Sequence, residues 1–505
     1  MTASGVSGTD AAVGATDLAG CFPARFAWGA ATAAYQIEGS VDVDGRTPSI
    51  WDTFSHTPGR TLNGETGDVA CDHYRRWGGD LDLMSELGLR AYRFSISWPR
   101  VQPGGSGNGN PAGLDFYDRL VDGLLERGIE PWVTLYHWDL PQPIEDRGGW
   151  LAPEVVDRFG AFAGLVARRL GDRVTAWITL NEPRTFSLMG YGTGRHAPGR
   201  RGWEGALRAA HHTHLAHAAS VVAVRAAVPG ARIGICHDVN HVEAGGDRPE
   251  DAAAAVRYDG AMHRWFLDPT FGRSYPADLV AWYERLGLLE SIDLAAVANP
   301  PPLDFLALNY YRRERIVAAP VEPEWGVGAR VLAAAGDRTA NGWEVHADGL
   351  RATLERIASD YAPPAIAVTE NGAAFDDTVA ADGSVDDPDR VRYLAAHVAA
   401  AGAAIAGGVP LIGYFAWSLL DNYEWALGYG TRFGIVHVDF ATQRRTIKAS
   451  GEWYRTLLAA HARQSRQGIE PTEGDPHARP SLATAPDPAG GGTAGGSAGH
   501  PRFRW

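Results

Sequence analysis

Eight short apolar runs, separated by stretches with helical patterning, restrict the possible folds of this sequence more than any other feature. The runs show no strict alternation of polar and apolar residues, which is typical of parallel strands buried on both faces. Eight such strands alternating with helices predict an α/β fold, a single (β/α)8 TIM barrel. The runs lie at 26–35, 91–97, 130–137, 176–182, 232–240, 304–311, 365–371 and 411–421.

Several helices between the runs have recognisable ends. One begins at Pro153 and stops near Gly171, another begins at Pro388 and stops at Gly407, and a third closes at Gly128. Proline suits the first helical position, and glycine suits the residue after the last turn. A doubly wound open sheet is the alternative, but no G-x-G-x-x-G motif follows a strand here, which disfavours it.

The length of 505 residues allows either several domains or one large barrel. No linker composition interrupts the central part, so we expect one barrel domain over 21–464. Residues 1–20 are mostly Ala, Gly, Ser and Thr, and we expect a disordered N-terminal arm. Residues 465–505 are rich in Gly, Pro and Ala, and we expect a disordered tail.

Composition excludes some partners. The net charge is −14, from 46 basic and 60 acidic residues, which disfavours nucleic acid as a partner. Three widely spaced cysteines, Cys21, Cys71 and Cys236, favour a reducing, cytoplasmic compartment over a disulfide framework. We expect no membrane association, because no apolar run reaches about 18 residues and the N-terminus lacks the pattern of a signal peptide.

Polar or aromatic side chains close nearly every apolar run. In a barrel the carboxyl ends of all strands meet at one face, which carries the active site in barrel enzymes. Exposure in a loop explains a polar residue at the end of one run, but it does not explain such residues at the ends of nearly all runs. The residues at these ends are Gln36, Arg93, His137, Asn181 with Glu182, Asn309 with Tyr311, Glu370 with Asn371, and Asp421 with Glu424.

Two glutamates stand out among these endings. Glu182 lies in T-L-N-E-P and Glu370 in T-E-N-G, on the predicted fourth and seventh strands. A barrel places both at its mouth, and two carboxyl groups flanking a glycosidic bond are the standard requirement for its hydrolysis. One must be protonated and the other ionised, so their pKa values must differ. A structural ion pair or helix cap is the alternative for either residue alone.

The motifs along the chain together resemble those of the family 1 glycoside hydrolases, the β-glucosidase family. They are FAWGAATAAYQIEG, YRFSISWPR, TLYHWDLPQ, TLNEP, LNYY, TENG and WSLLDNYEWALGYGTRFGIVHVDF, and the resemblance runs from about Phe22 to about Ala460. It implies that Glu182 is the acid/base and Glu370 the nucleophile. It places Arg93 near Glu370, where a cation favours the ionised carboxylate.

The resemblance also implies which residues bind the sugar. Asn181 would hold the 2-hydroxyl, Trp417 would form the aromatic floor, and Tyr311 would hydrogen-bond the nucleophile. Asn309, from the LNYY motif, would be a supporting residue. The remaining implied contacts are Gln36, His137, Glu424 and Trp425 with the other hydroxyls, and Trp343 with the aglycone. The chain departs from the family pattern after Trp343, where Ala347 stands in place of the usual proline.

The resemblance implies a retaining β-glucosidase that removes terminal β-D-glucosyl residues from β-glucosides and cello-oligosaccharides. It implies no cofactor and no metal, a small-molecule β-glycoside as partner, and no particular oligomeric state. Three alternatives stay open: a transglycosidase, a β-galactosidase or β-fucosidase of broad specificity, and a non-enzymatic sugar-binding relative. The segment HHTHLAH (211–217) is the one metal-like pattern, and it lacks acidic or Cys partners.

Overall fold

The centre of the structure, a computed structural model that describes residues 14–320 and 326–467, is a closed barrel of eight parallel strands. Each strand pairs with its sequence neighbours, and β1 pairs with β8 through Ala27 opposite Gly413, which closes the barrel. The predicted (β/α)8 barrel is confirmed. The strands are β1 Ala27–Ala31, β2 Ala91–Ser95, β3 Glu130–Tyr136, β4 Ala176–Asn181, β5 Arg232–Asp238, β6 Phe305–Asn309, β7 Ile366–Asn371 and β8 Leu411–Trp417.

Eight principal helices follow the strands. They are α1 His73–Leu87, α2 Pro111–Glu126, α3 Glu154–Leu170, α4 Trp203–Ala227, α5 Pro249–Asp259, α6 Ala347–Tyr361, α7 Pro388–Ala406 and α8 Ala449–Gln467. The helix ends predicted at Pro153, Gly171, Pro388 and Gly407 agree with these bounds to within one residue. Within the described ranges, no helix combines the length and the apolar character that crossing a membrane requires.

Most of the shorter elements lie in the segments that follow the carboxyl ends of the strands. A small sheet joins His241–Ala244, Arg313–Ala318 and Ala329–Val331, and Val436–Asp439 pairs with Arg444–Ile447. These segments form the rim around the mouth of the barrel. The shorter helices are Ala15–Leu18, Ala34–Ile37, Ile50–Ser55, Trp98–Val101, Gln142–Glu145, Pro183–Ser187, Trp265–Thr270 and Ala277–Arg285.

Three aromatic rings fill the barrel interior below the mouth. Trp132 lies 5.2 Å from Phe305 and 5.1 Å from Phe415, measured between ring centroids. Two glycines on other strands leave room for these rings. A methyl group on Gly29 would overlap Phe415, and one on Gly234 would lie 2.7 Å from Phe305. This dense packing lies beneath the carboxyl ends of the strands and holds them in place.

The described chain begins before the predicted domain start at residue 21. Ala15–Leu18 is a short helix with Ala15 and Leu18 buried, and it packs against α8. Apolar side chains inside the Ala/Gly-rich segment therefore dock part of the predicted arm. At the other end, α8 continues through residue 467. The rest of the predicted arm, 1–13, and of the predicted tail, 468–505, lie outside the described residues.

A buried cluster of charges ties the segments after β7 and β8 together. Lys448, the only lysine in the sequence, donates to Asp377 and, over 2.7 Å, to Asp421. Arg390 also donates to Asp377, and Arg432 donates to Asp421 over 2.7 Å. Each buried charge therefore has a partner of opposite sign, which burial requires.

Replacing Lys448 by methionine is expected to lower the free energy of unfolding by about 3–5 kcal/mol, because Asp377 and Asp421 would lose a buried partner. Urea unfolding at neutral pH measures the change. The matched control is Arg392→Gln, which breaks an exposed ion pair with Asp389 and should cost less than about 1 kcal/mol. Equal losses for the two variants would contradict the expectation.

Candidate active site

The predicted site residues converge at the carboxyl ends of the strands, around a cavity of about 650 Å³. Four of them, Gln36, Arg93, Asn181 and Asn309, lie behind the cavity wall and are fully buried or nearly so. The site therefore has two layers, the residues that line the cavity and the buried residues that support them from behind. The lining includes His137, Glu182, Tyr311, Trp343, Glu370, Trp417, Glu424 and Trp425.

Glu182 is presented to the cavity by a sharp change of backbone direction after β4. Its φ of +49° is left-handed, and Pro183 begins the next short helix. One carboxyl oxygen accepts a hydrogen bond of 2.7 Å from Asn309 Nδ2. The oxygen of Asn309 is already occupied by Thr369 Oγ1 at 2.9 Å and by the Cys236 thiol at 3.1 Å. These contacts fix the amide so that its nitrogen faces Glu182.

Glu370, on β7, has different partners. Arg93 Nη1 donates to one carboxyl oxygen, and the Tyr311 hydroxyl donates to the other over 2.5 Å. Burial raises the pKa of Glu370 to about 7, and the nearby charge of Glu182 adds to the rise. Arg93 and Tyr311 both oppose it. The sequence analysis anticipated the direction of the Arg93 effect, but not that burial outweighs it.

Asn181 connects the two glutamate environments. Its side-chain oxygen accepts from Arg93 Nη2 at 2.5 Å and from Asn309 Nδ2 at 3.1 Å. Its nitrogen lies 3.0 Å from His137 Nε2. All of these groups are buried, so the amide is held in one orientation. Its predicted contact with a sugar hydroxyl stays a prediction.

Glu424 is the third carboxyl group in the cavity. Gln36 Nε2 donates to Glu424 Oε2 over 3.3 Å and to Asn422 Oδ1 over 3.0 Å. Burial raises the pKa of Glu424 to about 8, and the charge of Glu370 contributes to the rise. With a pKa of about 8, this carboxyl group is mostly protonated at neutral pH.

Aromatic rings form the rest of the wall. The ring of His137 lies 5.9 Å from the rings of both Trp417 and Trp425. On the other side, Trp343 lies 5.3 Å from Tyr311, and the Arg312 guanidinium is 4.5 Å from the Trp343 ring. Flat apolar surfaces of this kind suit the C–H face of a sugar or an aryl group.

The structure adds lining residues that the sequence analysis missed. Asp238 and Asn240 close the fifth apolar run and line the cavity. They follow the rule applied to the other seven runs, so the signal was present in HDVN and was overlooked. Trp138 and Arg312 directly follow predicted site residues in the chain and line the cavity as well.

The histidines of HHTHLAH lie on α4 and satisfy separate partners. His211 lies 3.1 Å from the Tyr275 hydroxyl, and His217 Nδ1 lies 2.8 Å from Thr179 Oγ1. Burial lowers the pKa of His214 and His217 to about 3, so both are neutral at neutral pH. Among the described residues, no group of three or more His, Cys, Asp or Glu side chains is arranged to hold a metal.

Replacing Arg93 by methionine is expected to raise the pKa of Glu370, because a cation that favours the carboxylate is lost. The ionised form would then dominate only at higher pH, so the acidic limb of the profile of kcat/KM against pH should move up by about 1–3 units. Arg93→Lys keeps the charge and is the control. An acidic limb that stays in place in the methionine variant would contradict this role.

Comparison with known proteins places this architecture in one family. The model of glycosyl hydrolase family 1 matches residues 18–463. The β-glucosidase A of Thermotoga maritima is 47% identical over 446 residues, covering 86% of this chain and 97% of the relative. A bifunctional β-D-glucosidase/β-D-fucosidase of Bifidobacterium breve is 46% identical, covering 87% and 99%. The structure of the Thermotoga maritima β-glucosidase in complex with glucoimidazole superposes with a TM-score of 0.84 at 45% identity, covering 87% and 99%. The chain therefore belongs to glycosyl hydrolase family 1 and is a glycoside hydrolase.

Proposed function

We propose that this protein is a β-glucosidase that hydrolyses β-glucosides with retention of configuration, through a covalent glycosyl-enzyme. The observation that carries the proposal is the pair Glu182 and Glu370, which line one cavity and have different hydrogen-bond partners. Arg93 and Tyr311 donate to Glu370 and favour its ionised form, whereas Glu182 accepts from the uncharged amide of Asn309, so the two carboxyl groups are equipped for separate roles.

In the first step Glu370 attacks the anomeric carbon while Glu182 gives its proton to the leaving oxygen. Arg93 and Tyr311 both donate to Glu370 and so favour its charged, nucleophilic form. In the second step Glu182 removes a proton from water, which displaces the sugar from Glu370. This chemistry requires the two carboxyl groups to stand about 5–5.5 Å apart.

We propose terminal, non-reducing β-D-glucosyl residues of β-glucosides and cello-oligosaccharides as substrates. The names of the relatives support glucosides, and the Bifidobacterium breve enzyme adds fucosides as an alternative. Galactosides and transfer to a second sugar use the same catalytic residues and stay open. We also propose a cytoplasmic location, which the free cysteines Cys21, Cys71 and Cys236 support. We assign the activity to the barrel domain, residues 21–464.

The test is a panel of para-nitrophenyl β-glucoside, β-galactoside and β-fucoside, together with cellobiose. We expect the glucoside and cellobiose to be hydrolysed, with the β-anomer of glucose appearing first in an NMR time course. First formation of the α-anomer would overturn the retaining mechanism. Hydrolysis of the β-galactoside and of no other compound in the panel would overturn the proposed substrate.

Non-phosphorylated sugars are expected to be preferred over 6-phosphorylated ones. Glu424 offers phosphate no positive charge, and it repels phosphate increasingly as the pH approaches its pKa of about 8. The only lysine, Lys448, is buried and occupied by Asp377 and Asp421. Comparing rates on an aryl glucoside and its 6-phosphate tests this, and faster hydrolysis of the phosphate would contradict it.

A further inference from the structure

The cavity changes its charge between its buried end and its mouth. Glu182 and Glu370 are buried and Glu424 is half-buried, whereas five arginines with partly or fully exposed side chains line the same cavity. This is unexpected in a chain whose net charge is −14. The arginines are Arg60, Arg184, Arg195, Arg201 and Arg312.

Two of these arginines are neutralised by neighbouring carboxylates. Arg184 forms an ion pair with Asp238, and Arg312 pairs with Glu314 over 2.6 Å. Arg60 and Arg201 differ, because neither has a carboxylate within ion-pair distance in residues 14–320 and 326–467. Arg60 Nη1 donates to the carbonyl oxygen of Gly194 over 3.4 Å, and its guanidinium lies 5.5 Å from the Phe54 ring.

One loop brings these two arginines to the same part of the mouth. A methyl group on Gly194 would lie 3.0 Å from Arg201 Cγ, and one on Gly199 would lie 3.4 Å from Arg60 Cζ. The φ angles of Gly194 and Gly199, +71° and +84°, are in the left-handed region that favours glycine. The loop thus lets both arginine side chains pack closely against its backbone.

Apolar side chains line the cavity alongside the two arginines. Leu188 and Met189 follow the segment that begins at Glu182, and Leu427, which is 43% exposed, follows Trp425. A ligand that extends from the sugar pocket toward Arg60 and Arg201 therefore meets both apolar side chains and positive charge in one cavity. An aromatic ring with an anionic substituent combines these two kinds of chemistry.

We propose that the aglycone site selects aryl β-glucosides that carry a carboxylate, which Arg60 and Arg201 bind. Guanidinium groups match carboxylates in charge and in the geometry of their donors. The inference rests on the proposed glucosidase function, because it assumes that the sugar end of the ligand occupies the pocket around Glu370. It adds the chemical class of the aglycone.

Two S-linked glucosides that resist hydrolysis test the proposal by calorimetry. The para-carboxyphenyl compound should bind at least about tenfold more tightly than the para-carbamoylphenyl compound at low salt, which is the scale of one charge-assisted contact. Added salt should reduce the ratio. In the double variant Arg60→Gln, Arg201→Gln the ratio should fall to near one. Arg208→Gln, on α4 and absent from the cavity lining, should keep the wild-type ratio.

Equal binding of the two compounds by the wild-type protein would overturn the proposal. So would a carboxylate preference that survives in the double variant. Hydrolysis of para-nitrophenyl β-glucoside is measured in parallel, because it reports on the proposed function by itself. Activity without a carboxylate preference would overturn the aglycone proposal alone, whereas absence of both hydrolysis and sugar binding would overturn the proposed function.

Discussion

Replacing Glu370 by glycine is expected to lower kcat for para-nitrophenyl β-glucoside by about 10⁵-fold or more, the scale on which covalent catalysts lose activity with their nucleophile. The substitution removes the group that attacks the anomeric carbon and leaves Glu182 with its Asn309 partner. Folding should persist with some loss of stability, because Arg93 loses its buried carboxylate partner but still donates to oxygens of Thr134, Thr369 and Asn181. Circular dichroism and thermal unfolding check that point.

The space left by Glu370 gives a second readout. Azide is small enough to enter it and attack from the same face, so activity on an activated aryl glucoside should return and give the α-glucosyl azide. Tyr311→Phe is the matched control, because it removes one hydrogen bond to Glu370 and keeps the nucleophile. That variant should retain activity and show no azide product. If the glycine variant stays active without azide, the nucleophile is a residue other than Glu370.

The barrel could be predicted because its strands are buried on both faces and so appear as continuous apolar runs. Helix ends were equally readable, because proline, as at Pro388, fixes φ at a helical value, whereas glycine, as at Gly171, is a poor helix former that favours a helix end. The docked helix Ala15–Leu18 could not be predicted, because its stability comes from contact with α8 and not from its own composition. Local signals thus predict the elements, whereas packing decides where order begins.

The site residues could be predicted wherever they lie at the end of a strand. Arg60 and Arg201 lie in long loops without periodicity, and only the folded chain brings them to the cavity that Glu370 lines. The pKa of Glu370 was also beyond the sequence, because burial by the whole barrel outweighs the one cation, Arg93, that the motif reveals. Electrostatic balance depends on all surrounding atoms, whereas a motif gives only the nearest partner.

The carboxyl group that protonates the leaving oxygen is identified by its position and not by a raised pKa. Burial raises the pKa of Glu424 to about 8, above the value of about 7 for Glu370, and both could hold a proton near neutral pH. Position argues for Glu182 instead. Glu182 directly follows β4, whereas Glu424 lies in the segment after β8, where it accepts a hydrogen bond from Gln36. Dependence of the rate on the leaving group discriminates between Glu182 and Glu424.

Replacing Glu182 by alanine is expected to lower kcat/KM for cellobiose by about 10²–10⁴-fold, because a sugar leaves poorly without a proton. A dinitrophenyl glucoside needs no proton to leave, so its kcat/KM should change little. Its kcat should fall together with its KM, since the glycosyl-enzyme accumulates when the base that activates water is missing. Azide should restore turnover and give the β-glucosyl azide, the opposite anomer from the Glu370 variant. Glu424→Gln is the control and should weaken both substrates alike. Equal losses on both substrates in the Glu182 variant would assign proton donation to another group.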